Sequence, residues 1–228
     1  MRTGILGGSF NPVHDQHVQM ALAAKKQFEL EEVWFVPVFQ PVHKPGDTLL
    51  GYDARRELLQ AAIKGRSGLR VCDIEQELGG ASYTVRTLTE LQQRYRGREF
   101  FLVIGGDSLA ELHTWREIAQ IAEMTEFIVI ERPGNRKSSQ VPTARVHWAE
   151  CEVSAVSASE VREKLSRHDF SALHLSPEVL FAILLNDYYG SLGEPYGSWL
   201  ETISAQLRHL PEGLIDHTMA VAGLAVKY

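Results

Sequence analysis

Cysteine is nearly absent from this chain of 228 residues: it has only Cys72 and Cys151, far apart and without metal-type spacing. A disulfide scaffold and a cysteine-bound zinc site are excluded, and two inert, buried thiols in a reducing compartment are expected. Long apolar runs are missing as well; none approaches the ~20 residues of a membrane span. The first residues show no charged segment followed by an apolar one, so no signal peptide is expected. A basic excess is also lacking: 23 Lys and Arg stand against 29 Asp and Glu, a net charge of −6. That balance argues against general binding to nucleic acid or anionic membranes. Any phosphate must then be held by a few locally placed basic groups. Repeats and low-complexity tracts are absent too. The expectation is a cytoplasmic protein with no nucleic-acid or membrane partner, and a homo-oligomer is left open.

What is present is the length and composition of one α/β domain plus an appendage. Residues 3–6, 32–37, 69–73, 99–104 and 126–131 read as short strands, and a further one is expected within 146–153. Most show almost no alternation, as in a sheet covered on both faces. Helices are expected over 18–28, 53–64 (N-capped by Asp53), 84–95, within 109–122, and over 157–166 and 176–188. Strands alternating with helices predict an α/β fold with a Rossmann-like, doubly wound parallel sheet. Ligands of such sheets sit beyond the carboxyl ends of the strands. His14 and His17 follow the first strand, His43 and Lys44 the second, and Asp107 the strand ending at Ile104.

The run Gly7-Gly8-Ser9-Phe10-Asn11-Pro12-Val13-His14-Asp15-Gln16-His17 carries the strongest signal. A strand enters a glycine pair, then an Asn-Pro turn, then two histidines on one expected helix face. A helix start beyond a glycine-rich strand end offers free N–H groups and a positive dipole end to an anion. The run resembles the signature of the nucleotidylyltransferase superfamily; Gly8, Phe10, Asn11, Pro12, His14 and His17 fit, whereas Gln16 stands where the family has glycine. A glutamine side chain there either obstructs a nucleotide or turns outward.

The resemblance narrows to the nicotinate-nucleotide adenylyltransferases. It rests on Val42-His43-Lys44-Pro45, Ser82-Tyr83-Thr84, Gly105-Gly106-Asp107-Ser108-Leu109 with Trp115, Arg132-Pro133-Gly134, and Val156-Ser157-Ala158-Ser159-Glu160-Val161-Arg162. It implies transfer of AMP from ATP to nicotinate mononucleotide, with Mg²⁺ accompanying the ATP. By the same resemblance His14, His17, Lys44 and Arg162 are the catalytic set. Gly7, Gly8, Ser9, Phe10, Gly105, Asp107, Ser157 and Ser159 join His14, His17 and Arg162 around ATP. Lys44, Tyr83, Thr84, Trp115 and Arg132 receive the mononucleotide, and no side chain is assigned as a resident metal ligand. Ser157 with Glu160 also reads as a capping box, and Ser82 to Thr84 as a helix start. Other acceptors, such as nicotinamide mononucleotide or phosphopantetheine, remain open, as does a nucleotide-binding module impaired by Gln16.

The resemblance covers residues 1–189. A turn-rich stretch from Gly190 to Gly197 then leads into 198–228, expected to be a helical extension. Around His217 it looks like the opening of an HD-type phosphohydrolase domain. The later His and Asp ligands of such a domain are missing, so no HD activity is expected.

Overall fold

The computed structural model describes residues 1–41, 49–131, 139–151 and 156–192. The chain runs β1 (Arg2–Gly8), α1 (Asp15–Gln27), β2 (Glu32–Pro37), α2 (Tyr52–Ile63), β3 (Leu69–Val71), α3 (Ile74–Leu78), α4 (Thr84–Arg94) and β4 (Glu99–Gly105). It continues with α5 (Gly106–Ala110), α6 (Ile118–Met124), β5 (Glu126–Glu131), β6 (Val146–Glu150), α7 (Ala158–Ser166) and α8 (Pro177–Leu185). The strands form a six-stranded sheet in the order β3-β2-β1-β4-β5-β6, parallel at every pairing. This is the Rossmann strand order, and the sheet is the doubly wound parallel one expected from the sequence.

The chain divides into two compact units. The first takes the described residues of Met1–Ser9, Gln16–Asp47 and Gly65–Ser154, and holds the whole sheet. Its strands bury both faces, which is why they lack alternation. Ile5, Trp34, Val36, Leu102, Ile104, Phe127 and Val129 share a core with Ile74, Leu88, Leu91, Leu109 and Ile121 of the helices. Elsewhere in the sheet, β1 must come close to its neighbours: a Cβ on Gly4 would meet Leu30 at 3.0 Å, Val103 at 3.1 Å and Val33 at 3.2 Å. Trp34 is fully buried, and its indole N–H donates to Glu32 Oε2 at 2.8 Å. Arg98 donates to the same oxygen at 2.8 Å and to Thr3 at 3.0 Å, so both polar groups are satisfied at the edge of an apolar core.

The second unit takes the described residues of Phe10–Asp15, Thr48–Lys64 and Ala155–Tyr228. In it α2 packs on α8, and α7 on the 3₁₀ turn Tyr188–Gly190.

Several boundaries differ from the sequence reading. β1 runs on through the glycine pair, pairing Gly7 with Val36 and Gly8 with Pro37, so the turn begins later than expected. α1 starts at Asp15, leaving His14 just outside it. Asp53 does not cap α2; Gly51 holds the cap position, without a side-chain hydrogen bond. The stretch 109–122 contains helix as expected, but in three pieces, α5, a 3₁₀ turn and α6, with Trp115 extended and Glu117 left-handed (φ 55°) between the last two. α3 was not anticipated, being only one turn long.

Gly4→Ala should cost about 1–3 kcal/mol through overpacking between strands. Urea denaturation measures it; an unchanged midpoint would contradict this packing.

Candidate active site

Within the first unit a cleft of ≈ 420 Å³ opens beyond the carboxyl ends of β1, β2 and β4. β1 and β4 are sheet neighbours, while β2 and β5 lie outward on opposite sides. The chains leaving β1 and β4 therefore diverge, which is the switch point where open α/β sheets hold ligands. Gly7, Gly8 and Ser9 line one wall, with Gly105 at the end of β4 and His17 from the first turn of α1. A Cβ added to Gly7 would meet no atom within 4 Å. Among the described residues none fills the space above this strand end, although Gly7 keeps an ordinary φ.

The other wall comes from the start of α4 and the segment after the 3₁₀ turn Leu112–Thr114. Tyr83, Thr84, Thr87, Trp115 and Arg116 line it, with Ser82 and Glu75 beside them. The Arg116 guanidinium lies 4.5 Å over the Tyr83 ring, a cation–π arrangement. Trp115 packs partly against the apolar core and still lines the cleft, so one side chain serves both purposes. Ser82 is not the cap of α4. Tyr83 holds that position without a side-chain hydrogen bond, and the Ser82 hydroxyl accepts from the N–H groups of Phe39 (3.0 Å) and Gln40 (3.1 Å) instead. The first N–H groups of α4 are left for water or a ligand.

Of the residues the sequence singled out, Gly7, Gly8, Ser9, His17, Tyr83, Thr84, Gly105 and Trp115 line this cleft. Asp107 is exposed in the first turn of α5, and its neighbour Ser108 reaches the cleft. Gln16 is half-buried in the first turn of α1 and is not among the lining residues. Glu75, Thr87 and Arg116 were missed. Arg116 adjoins Trp115 and was open to inference, whereas nothing near Glu75 or Thr87 in sequence marks them. Lys44 and Arg132 lie outside the described residues, as does the chain from Gly193 onward.

The second unit carries its own polar cluster. Arg162 donates to the Asn11 carbonyl at 2.7 Å across 151 positions of sequence, and to the Ser159 hydroxyl at 3.3 Å. The side-chain oxygen of Asn11 accepts from the Leu50 N–H (3.1 Å) and from the Tyr189 hydroxyl (2.8 Å). Arg55, only 1% exposed, donates to the Leu50 carbonyl at 2.9 Å. Ser157 accepts from the Glu160 N–H at 3.1 Å and so caps α7 as expected. Phe10 is buried with a left-handed φ of 47°, a strained conformation for a bulky residue that its surroundings must enforce. Its side chain is sealed in. His14 is 6% exposed; burial, reinforced by the nearby His174, lowers its pKa to about 4. It is neutral at pH 7, an N–H donor without charge. Burial pushes the Tyr189 phenol well above its ordinary range, which keeps it a donor to Asn11.

Residues 5–164 match the cytidylyltransferase-like family. A protein of Salinibacter ruber named "Probable nicotinate-nucleotide adenylyltransferase" is 38% identical over 186 residues, spanning 81% of this chain and 95% of the relative. A protein of the same name from Shouchella clausii is 36% identical, over 85% of this chain and 99% of the relative. The fold is also that of the Plasmodium falciparum nicotinic acid mononucleotide adenylyltransferase solved with NaAD. The TM-score is 0.72 at 18% identity, covering 84% of this chain and 98% of that one. Alignments running across nearly the whole of two relatives exclude a shared fragment on an unrelated scaffold, and the chain belongs to the nicotinate-nucleotide adenylyltransferase family.

Proposed function

We propose that this chain transfers AMP from ATP to nicotinate mononucleotide, releasing pyrophosphate and forming nicotinate adenine dinucleotide. The observation that carries this reading is the composition of the switch-point cleft. One wall is bare glycine backbone with His17, and the other presents Tyr83, Thr84, Trp115 and Arg116. Bare backbone suits a nucleotide phosphate, and flat π-faces suit a pyridine ring. Nicotinamide mononucleotide shares the ring but lacks the carboxylate that the first N–H groups of α4 would receive. Phosphopantetheine offers no flat ring at all.

A phosphate oxygen of the mononucleotide attacks the α-phosphorus, the bond to the bridging oxygen breaks, and pyrophosphate leaves. The nucleophile is already ionised, so catalysis rests on alignment and on donors to the non-bridging oxygens. His14 and His17 are assigned to the α-phosphate, the former as a neutral donor. Lys44, Ser159 and Arg162 are assigned to the β/γ end, and Asp107 to ribose hydroxyls. Gly7, Gly8, Ser9, Phe10 and Gly105 supply backbone around the nucleotide, Ser157 sets the start of α7, and Arg132 assists the mononucleotide phosphate.

Members of this family use ATP, and a divalent ion would accompany it; we assign Mg²⁺. Among the described residues no three His, Cys, Asp or Glu side chains gather into a metal cage. That suits an ion that takes its ligands mainly from phosphate oxygens and water, with Asp107 the carboxylate available to support it. Its chemistry there is to neutralise triphosphate charge. No helix among the described residues is long and apolar enough to cross a membrane. Charged substrates that do not cross membranes unaided favour a cytoplasmic site of action.

His17→Ala should lower kcat about a hundredfold or more, the scale of losing one preorganised donor; undiminished turnover would sink the assignment. In the same assay Gly7→Ala should raise the KM for ATP about tenfold while leaving the urea midpoint unmoved, since its Cβ meets only the space assigned to nucleotide.

His14 gives a pH dependence. Its folded pKa, about 4, lies below the ordinary 6.5, so between those values the unfolded chain binds the extra proton. The associated stability is complete above about pH 6.5 and falls as the pH drops toward 4, by about 3 kcal/mol in all. Urea unfolding at pH 7.5 and 4.5 should show this slope in the wild type and a flatter one in His14→Gln.

A further inference from the structure

Glu75 is a carboxylate only 9% exposed, set in the wall of the cleft. A buried carboxylate is costly unless donors surround it. Here both oxygens take them. Oε1 accepts from the Thr87 hydroxyl at 3.0 Å, and Oε2 from the Phe39 N–H at 3.1 Å. These partners lie 12 and 36 positions away in sequence, on opposite sides of Glu75. Phe39 follows β2, on the chain entering the segment that carries His43 and Lys44. Thr87 sits one turn into α4, and its N–H donates to the Tyr83 carbonyl at 3.1 Å. The Thr87 hydroxyl is also 3.3 Å from that carbonyl; its single proton goes to the charged acceptor, the stronger of the two. Ser82 completes the loop: its hydroxyl accepts from Phe39 and Gln40, and its N–H donates to the Gln40 carbonyl at 3.0 Å. The chain after β2 and the start of α4 are thus joined twice, by the Ser82 bonds and by the Glu75 carboxylate.

We propose that Glu75 is a positioning residue for the second-substrate end of the cleft, holding the Tyr83 ring and the Thr84 N–H where the mononucleotide binds. The assignment deepens the function proposed above and rests on it. Glu75 touches no reacting atom. Its removal takes one of two acceptors from the Phe39 N–H, which keeps the Ser82 hydroxyl at 3.0 Å, and turns the Thr87 hydroxyl to the Tyr83 carbonyl, so the start of α4 is then held to the chain after β2 by the Ser82 bonds alone and loosens. The consequence falls on one substrate, because the Glu75 bonds run to Phe39 and Thr87, while the Val38 N–H separately keeps the end of β2 on the Gly8 carbonyl at 2.9 Å.

The test compares Glu75→Ala with Glu75→Gln. Alanine should raise the KM for nicotinate mononucleotide about tenfold, while the KM for ATP stays within about twofold. Glutamine should recover most of the loss. Its carbonyl accepts from Phe39, its amide donates to the Thr87 oxygen, and the Thr87 hydroxyl turns to the Tyr83 carbonyl. If the alanine variant does not fold, Thr87→Val removes one donor alone and should raise the mononucleotide KM about threefold. Equal rises in both KM values, or none in either, overturn the proposal, as does a glutamine variant no better than alanine. Amide exchange in the substrate-free protein supplies a second readout: Phe39, Gln40 and Ser82 should exchange about tenfold faster in Glu75→Ala. Unchanged exchange there overturns the tie itself. A wild-type protein that fails to turn over refutes the function above instead, and the exchange comparison still decides the role of Glu75.

Discussion

β1 and β4 lie side by side, parallel, and their chains depart toward opposite edges of the sheet. Sterics and connectivity together leave a gap at their carboxyl ends that no crossover fills. Gly7, Gly8, Ser9, His17, Tyr83, Thr84, Gly105 and Trp115 surround that gap. Glycine at positions 7, 8 and 105 keeps it open from below, and α1 brings His17 to its edge. The continuously apolar strands exist to hold the two strand ends in register. Gly4, wedged against Leu30, Val33 and Val103, shows how closely packed that support is. Glycine therefore has two different uses in one strand: Gly4 allows packing within the protein, and Gly7 leaves space that no described residue fills.

The electrostatics follow from a chain with net charge −6 that must handle a polyanion. The solution is local. Backbone N–H groups at strand and helix ends bear no formal charge and cannot be screened away as exposed side chains are. The role proposed for His14 extends this logic, since burial keeps it neutral and a neutral donor needs no proton at pH 7 to face phosphate. Arg162 is held by Asn11 and Ser159, so its guanidinium is pre-oriented and, in the role proposed for it, has little side-chain entropy left to lose.

Much of the framework was legible from residue patterns because its causes are local. The runs 32–37, 99–104 and 126–131 lack alternation for the same reason that they are buried on both faces. Ser157 announces α7 because a hydroxyl three residues before Glu160 is a local capping device. What failed was also physical. Gly7 and Gly8 looked like a turn, yet pairing with Val36 and Pro37 extends the strand through them. Within 109–122 helix was expected and is present, but its division by an extended Trp115 and a left-handed Glu117 is not flagged by the sequence. Asp53 lost the cap to Gly51 because Tyr52 is already helical. At the site, Tyr83, Thr84 and Trp115 were recognisable as a motif. Glu75 was not, since its importance comes from Phe39 and Thr87, which only the fold brings to it. The expectations for Lys44, Arg132 and the region around His217 fall on residues outside those described.

The central claim is that the switch-point cleft joins ATP to a pyridine mononucleotide bearing a carboxylate. Pyrophosphate release from MgATP with nicotinate mononucleotide, run beside nicotinamide mononucleotide, tests it most directly. The account expects robust turnover with the acid and weaker turnover with the amide, showing also that Gln16 is tolerated. A folded protein silent with both mononucleotides would contradict it.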